Sequence, residues 1–305
     1  MTKEKLIEII KKFKIYHMIK KFIYQTKDSS YKEVFLSPNQ TNDYIKELLI
    51  SNKPFMITRY GSIELKVVEN YIKNKKYTDK MKYTIKNNAG FYEPNNDNLD
   101  LFAKLYLENS KNIDLLGISN LPFEDNMVNK IIPKCKITKL RNLEPYFFDL
   151  AWSKLLEDKK VLVIHPFTQS IEKQYLKREL LFENQSILPE FTLITYPAIQ
   201  SLGGNDEYES WFHALDKMKE DISKIDFDIA IIGAGAYGLP LASYVKDLGK
   251  KAIHLGGSTQ MLFGVYGHRW AIHPDFQNII NEHWAKPTPN EKPKNATKVE
   301  NACYW

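Results

Sequence analysis

Three short stretches hold residue types that bind anions or move protons. Gly233-Ala-Gly235-Ala-Tyr-Gly238 follows the apolar run FDIAIIG and opens the helical pattern GLPLASYVKDLG. In that strand–turn–helix setting Gly233 permits a tight turn. Gly235 lets backbone N–H groups approach a phosphate, and the helix beginning at Gly238 adds its positive dipole end. The bland alternative is a turn packed tightly for structural reasons. A dinucleotide site needs an acidic residue about 20 positions after the first glycine. That place holds His254, followed by Leu255, Gly256 and Gly257, with no Asp or Glu beside it. A nicotinamide dinucleotide therefore loses its ribose partner. The second glycine turn, Gly256-Gly257-Ser258-Thr259, instead offers further N–H and hydroxyl donors.

The second stretch is Thr58-Arg59-Tyr60-Gly61-Ser62-Ile63-Glu64. A strand ending at Arg59, a turn at Gly61 and a helix starting near Ser62, a natural N-cap, put Arg59 and Glu64 at a strand's C-terminal end, where open α/β sheets bind ligands. Arg59 suits a phosphate clamp, and Glu64 suits a divalent cation or a base. The alternative is an Arg–Glu ion pair beside a cap. His165, after VLVI, and His254 sit at equivalent strand ends facing the same crevice. His165 is the candidate base. A third stretch, Gly264 to Trp270, joins glycine, aromatics and Arg269, with Arg269 expected on phosphate and Trp270 or Tyr266 against a ring. No HExxH, Walker A or GxSxG motif occurs, which argues against a preformed zinc site, a P-loop NTPase and a serine hydrolase.

The elements that must position these residues are regular. Apolar runs at 54–60, 113–119, 135–140, 159–167, 191–198, 227–233 and 250–257 read as strands. Helical periodicity appears at 41–51, 62–74, 100–109, 170–182, 207–225 and 238–249. From residue 159 onward strands and helices alternate through short links, which predicts a right-handed parallel sheet with helices on both faces, a Rossmann-like α/β fold. Residues 75–98 are polar and Asn-rich and read as a loop that reaches a ligand. Three regions are expected: a basic amphipathic helical N-terminus over 1–40, an α/β catalytic domain over 41–285, and an extended tail over 286–305. The apolar ending ACYW is expected to dock on the body.

The 305 residues carry 43% hydrophobic and 26% charged side chains, ordinary for a globular protein. A net charge of +6 favours anionic partners, but no nucleic-acid reading motif is present. Two cysteines, Cys135 and Cys303, lie far apart without CxxC spacing, which fits a reducing cytoplasm. Leu6, Ile9, Ile10, Phe13, Ile19, Phe22 and Ile23 recur at helical spacing among lysines across residues 3–25. That pattern predicts either peripheral docking at the inner membrane face or a helix packed on the body.

The RYGSIE segment resembles the Arg-aromatic-Gly-Asp-Gly-Glu motif of bacterial glycosyltransferases with the GT-D fold. GAGAYGLPLASYVKDLGKKAIHLGGSTQ and the ending VENACYW are similar to proteins encoded with bacterial surface-polysaccharide genes. The likeness spans residues 50–285. It implies a GT-D-like domain that moves a sugar from a nucleotide-diphosphate sugar to a surface-glycan or glycolipid acceptor. Arg59, Gly61 and Glu64 match the motif, and Ser62 stands where the family has Asp. The resemblance implies Mg²⁺ or Mn²⁺ at Glu64, with the Ser62 departure weakening that site. Gly61, Ser62, Gly233, Gly235, Gly238, His254, Gly256, Gly257, Ser258 and Arg269 would surround the donor. Two rivals stand beside this expectation: a non-catalytic polysaccharide-assembly protein, and another nucleotide-dependent enzyme such as an oxidoreductase.

Overall fold

The computed structural model describes residues 35–201, 208–293, 295–299 and 302–305. The basic amphipathic pattern at 3–25 lies outside these residues. Among the described residues no helix is long and apolar enough to cross a membrane.

Seven strands form one all-parallel sheet: β1 (Phe55–Arg59), β2 (Leu115–Ile118), β3 (Lys136–Lys139), β4 (Lys160–His165), β5 (Thr192–Pro197), β6 (Ile229–Ile232) and β7 (Lys251–His254). Their order is β3-β2-β1-β7-β6-β4-β5. β2 and β6 are buried at every position, the signature of strands covered on both faces. β5, at one edge, is only half-buried.

Helices cover both faces and divide the core in two. One layer holds α2 (Ser62–Ile72), α4 (Asn96–Ser110), α6 (Trp211–Ser223) and α7 (Gly238–Asp247). The other holds α1 (Pro38–Ile50), α5 (Thr168–Tyr175) and α8 (Ser258–Leu262). Every crossover moving toward β3 uses the first layer, and every crossover moving toward β5 uses the second. A single hand of crossover throughout produces that split.

Two expectations about elements need correction. Residues 75–98 are not an open loop. They contain α3 (Asp79–Thr84) and a π-helical turn, Ile85–Ala89, because Met81, Ile85, Ala89, Phe91 and Tyr92 all bury into the first core layer. The helix expected over 170–182 stops at Tyr175. The chain then tightens into a 3₁₀ turn at Arg178–Leu180, which leaves Leu176 exposed and turns Leu181 and Phe182 into the second core layer. The final aromatic segment does dock: Trp305 and Cys303 are buried, and the Trp305 indole N–H donates to the Glu291 carbonyl at 3.2 Å.

Candidate functional site

The strand order decides where a cleft can form. The connection after β7 passes to the second layer, while those after its neighbours β1 and β6 pass to the first. The connection after β4 also departs from that of its neighbour β6. Diverging connections open crevices beyond the strands' C-terminal ends. A cleft of about 200 Å³ lies there. Into it the sheet brings Arg59 at the end of β1 with Gly61, Ser62 and Glu64 after it, His165 at the end of β4, Gly233 and Gly235 after β6, His254 at the end of β7 with Gly256 and Gly257 after it, and Arg269. The arginine–glutamate turn and the triple-glycine turn, far apart in sequence, share one site.

Arg59 is half-buried, and its guanidinium makes no hydrogen bond or ion pair with any described residue. Its aliphatic stem packs over Gly256, at 3.4 Å from where a Cβ would stand. A guanidinium held against backbone with its donors unspent is a binding group for an anion. The first turn of α2 has Gly61, not Ser62, as its N-cap, and no side chain caps it. Its dipole end therefore bears on the cleft. The Gly61 N–H donates to the Tyr106 hydroxyl at 3.3 Å. Gly235 adopts φ +53, a left-handed conformation that glycine takes without strain, and its exposed N–H has no protein acceptor among the described residues.

The two histidines are fixed by their partners. His165 is 3% exposed, and its Nδ1 accepts the Phe167 N–H at 3.0 Å, so Nε2 carries the proton. Burial pushes its pKa down to about 3. This imidazole offers a donor and no free acceptor nitrogen, so it fits hydrogen-bond donation and not the base role anticipated from its position. His254 is joined through Nδ1 to the Thr58 hydroxyl at 2.8 Å. Burial, with Arg59 adding to it, pushes its pKa down to about 3 as well. Its Nε2 faces Gly238, which lies beneath the ring and does not line the cleft.

The second glycine turn contributes less backbone than its sequence suggests. The Gly256 N–H is spent on the Ile232 carbonyl at 3.2 Å, and the Gly233 N–H on the Ile164 carbonyl at 2.9 Å. Ser258 faces away from the cleft into an adjoining chamber of about 410 Å³, where its hydroxyl donates to the Glu144 carboxylate. Cleft and chamber meet at Arg59, Gly257, Arg269 and Tyr304. Joined, they fall within the ~300–1,000 Å³ of small-molecule sites. Arg269 donates to the Tyr304 hydroxyl at 3.3 Å and lies 4.9 Å over its ring, which fixes it at this junction. Trp270 lines the chamber, whereas Tyr266 lines neither space.

Several contributors were not evident in the sequence. Asn88 enters the cleft from the π-helical turn, Gln260 from α8, and Tyr304 and Trp305 from the docked aromatic segment. The Asn-rich composition of 75–98 and the apolar ending were the signals for the first and last of these. Glu144 had none. It is 6% exposed, and burial pushes its carboxyl up to about 7. Glu124 behaves alike, at about 7 for the same reason, although the Ser119 and Leu121 N–H groups donate to it.

The donor set does not fit a divalent cation held by the protein. Glu64 is 9% exposed, and its carboxylate folds back over Gly61, 1.9 Å from where a Cβ would stand. Ser62 supplies a hydroxyl where a second carboxylate would be needed. Among the described residues no group of three His, Cys, Asp or Glu side chains could hold a metal. Magnesium and manganese favour several hard oxygen ligands.

Compared with known proteins, the chain matches no family model and no curated relative.

Proposed function

We propose that the protein is a glycosyltransferase that moves a sugar from a nucleotide-diphosphate sugar to a surface-glycan or glycolipid acceptor. The observation that carries this reading is Arg59: a half-buried guanidinium without a partner among the described residues, placed where uncapped helix and glycine-turn amides converge over diverging strands. That environment suits a diphosphate. The likeness of RYGSIE and of the glycine-rich block to GT-D glycosyltransferases supplies the reaction class. Arg59 offsets the negative charge that grows on the leaving diphosphate. His165 Nε2–H and the Gly235 N–H add donors to the same oxygens. The proton of the attacking hydroxyl goes to Glu144, a buried carboxylate poised near neutral pH in the chamber beyond Arg59. Glu64 packs its carboxylate over the Gly61 turn, and no step passes through a metal ion. The basic pattern at 3–25 would bring a lipid-linked acceptor within reach.

A thermal-shift panel of nucleotide-diphosphate sugars tests the class. Saturating ligand at 100 Kd stabilises a protein by about 2.7 kcal/mol. A donor-selective rise in melting temperature, absent in Arg59→Ala, supports the reading. No shift with any nucleotide at millimolar concentration removes it.

A further inference from the structure

The chamber beyond Arg59 opens over the C-terminal ends of β2 and β3. Ser119 and Asn120 reach it from the connection after β2, Lys139 and Arg141 from the end of β3 and the turn that follows, and Trp270 and Phe276 wall its far side. We propose that this chamber is the acceptor subsite and receives an anionic saccharide, its hydroxyls held by Glu144 and Asn120 and its acidic group by Lys139 and Arg141. The proposal rests on the glycosyl-transfer reading of the adjoining cleft and names the substrate class that reading leaves open.

Five observations point to such an occupant. The chamber joins the cleft at Arg59, so a molecule in it lies next to whatever Arg59 binds. Its lining carries four cations, Arg59, Lys139, Arg141 and Arg269, against one carboxylate, Glu144. Arg141 is held in place, paired with Asp275 and stacked 4.5 Å over the Phe147 ring and 5.7 Å over Phe276. A guanidinium so fixed loses little freedom when an anion arrives. Asn120 sits at φ 55, and its Oδ1 is buried without a hydrogen-bond partner among the described residues. A buried acceptor left over by the protein calls for a donor from outside it. A sugar hydroxyl is such a donor, and the Glu144 oxygen not taken by Ser258 accepts another. Trp270 and Phe276 give the apolar surface against which the C–H face of a pyranose packs. Hydroxyl acceptors, aromatic wall and cationic lining together select a sugar that carries an acid, in preference to a neutral sugar or a bare anion.

Calorimetric titration of the full chain decides the matter. The probes are glucose 6-phosphate, glucuronate, methyl glucoside and inorganic phosphate, with uridine diphosphate as the separate probe of the cleft. At least one acidic sugar is expected to bind tenfold or more tightly than methyl glucoside and inorganic phosphate, and comparison of the two shows whether phosphate or carboxylate is preferred. Lys139→Glu, at an exposed position that keeps the fold, and the double variant Lys139→Ala/Arg141→Ala are expected to weaken acidic-sugar binding at least tenfold. Uridine diphosphate affinity stays within twofold in both. Inorganic phosphate binding as tightly as the sugars, acidic-sugar binding that survives both variants, or no sugar binding by a protein that binds uridine diphosphate would each overturn the proposal. Lysine-dependent sugar binding without any nucleotide binding would keep the subsite and instead dismiss the transferase reading of the cleft.

Discussion

Gly238 lies directly beneath the imidazole of His254: a Cβ at that α carbon would fall 2.2 Å from Nε2. The third glycine of the turn thus serves close packing between α7 and β7, not contact with a ligand. Gly238→Ala forces the buried ring, which is also tied to Thr58, to shift from its place in the cleft wall. A loss of about 1–3 kcal/mol is expected, read from the urea midpoint. A variant as stable as the parent would show that the ring has another place to go.

Gly235→Ala is expected to behave differently. Among the described residues the one heavy atom near its Cβ is the Ala89 carbonyl oxygen at 3.3 Å, but φ +53 costs a side chain roughly 1–2 kcal/mol. The added methyl also crowds the N–H that faces the cleft. Nucleoside-diphosphate affinity should therefore fall by more than the modest change in melting temperature would suggest. Calorimetry and thermal unfolding on one preparation compare the two.

Arg59→Ala is expected to weaken uridine diphosphate binding by roughly 10- to 100-fold, the loss of one charge-assisted hydrogen bond worth about 1.5–3 kcal/mol. Stability should hardly change, because no described residue depends on the guanidinium as a hydrogen-bond partner. Arg59→Lys restores the charge without the fork and should recover only part of the affinity. Full recovery by lysine would mean that Arg59 acts as a point charge.

The pH dependence of stability combines two opposed effects. Glu144 and Glu124 are raised from 4.5 to about 7, so the folded state holds their protons more tightly. Their contribution is complete below about pH 4.5 and is lost as pH rises through 7. His165 and His254 are lowered from 6.5 to about 3, and their contribution is complete above pH 6.5 and lost as pH falls through 3. Stability should peak between these ranges, near pH 5–6.5, and decline on both sides. Glu144→Gln removes one carboxyl and should lessen the loss between pH 5 and 8 by about 2–3 kcal/mol. Urea titrations at several pH values measure it, and an unchanged profile would contradict the assignment.

Glu144→Gln should also separate binding from turnover. The amide keeps the shape of the carboxyl and an acceptor for the Ser258 hydroxyl, but takes no proton. With a productive donor–acceptor pair, kcat is expected to fall about 10²–10⁴-fold while donor Kd holds. The parent's rate should rise with pH through about 7, as the carboxyl ionises, and that limb should vanish in the variant. His165→Asn, by contrast, should cost affinity and leave the pH limb in place.

All seven strands were readable from sequence because each is a short apolar run bounded by turn residues, as VLVIH and IAII show. The half of the site built on those strand ends, Arg59 and the Gly233–Gly235 turn, was readable for the same reason. Residues 75–98 misled because their polar majority masks the few side chains that bury, and because the π-helical turn at Ile85–Ala89 breaks the 3.6 period. Glu144, Asn120 and Lys139 were invisible for a different reason. Asn120 and Glu144 come from irregular segments and Lys139 from the last position of a strand, and Glu144 meets its partner far along the chain: Ser258 is 114 residues away. No local spacing records such a meeting.

The opposite routes taken by the connections around β7 also separate what the fold must keep from what it can change. Arg59 stands at the end of β1, in the middle of the sheet with paired neighbours on both sides. Asn120 and Arg141 belong to the connections after β2 and β3 and Lys139 ends β3, and these three side chains stand outside the buried core. Exchanges at that rim would retune which molecule is accepted while the central anion clamp and the sheet beneath it stay as they are. A lineage of such proteins would diversify at its border, from one unaltered centre.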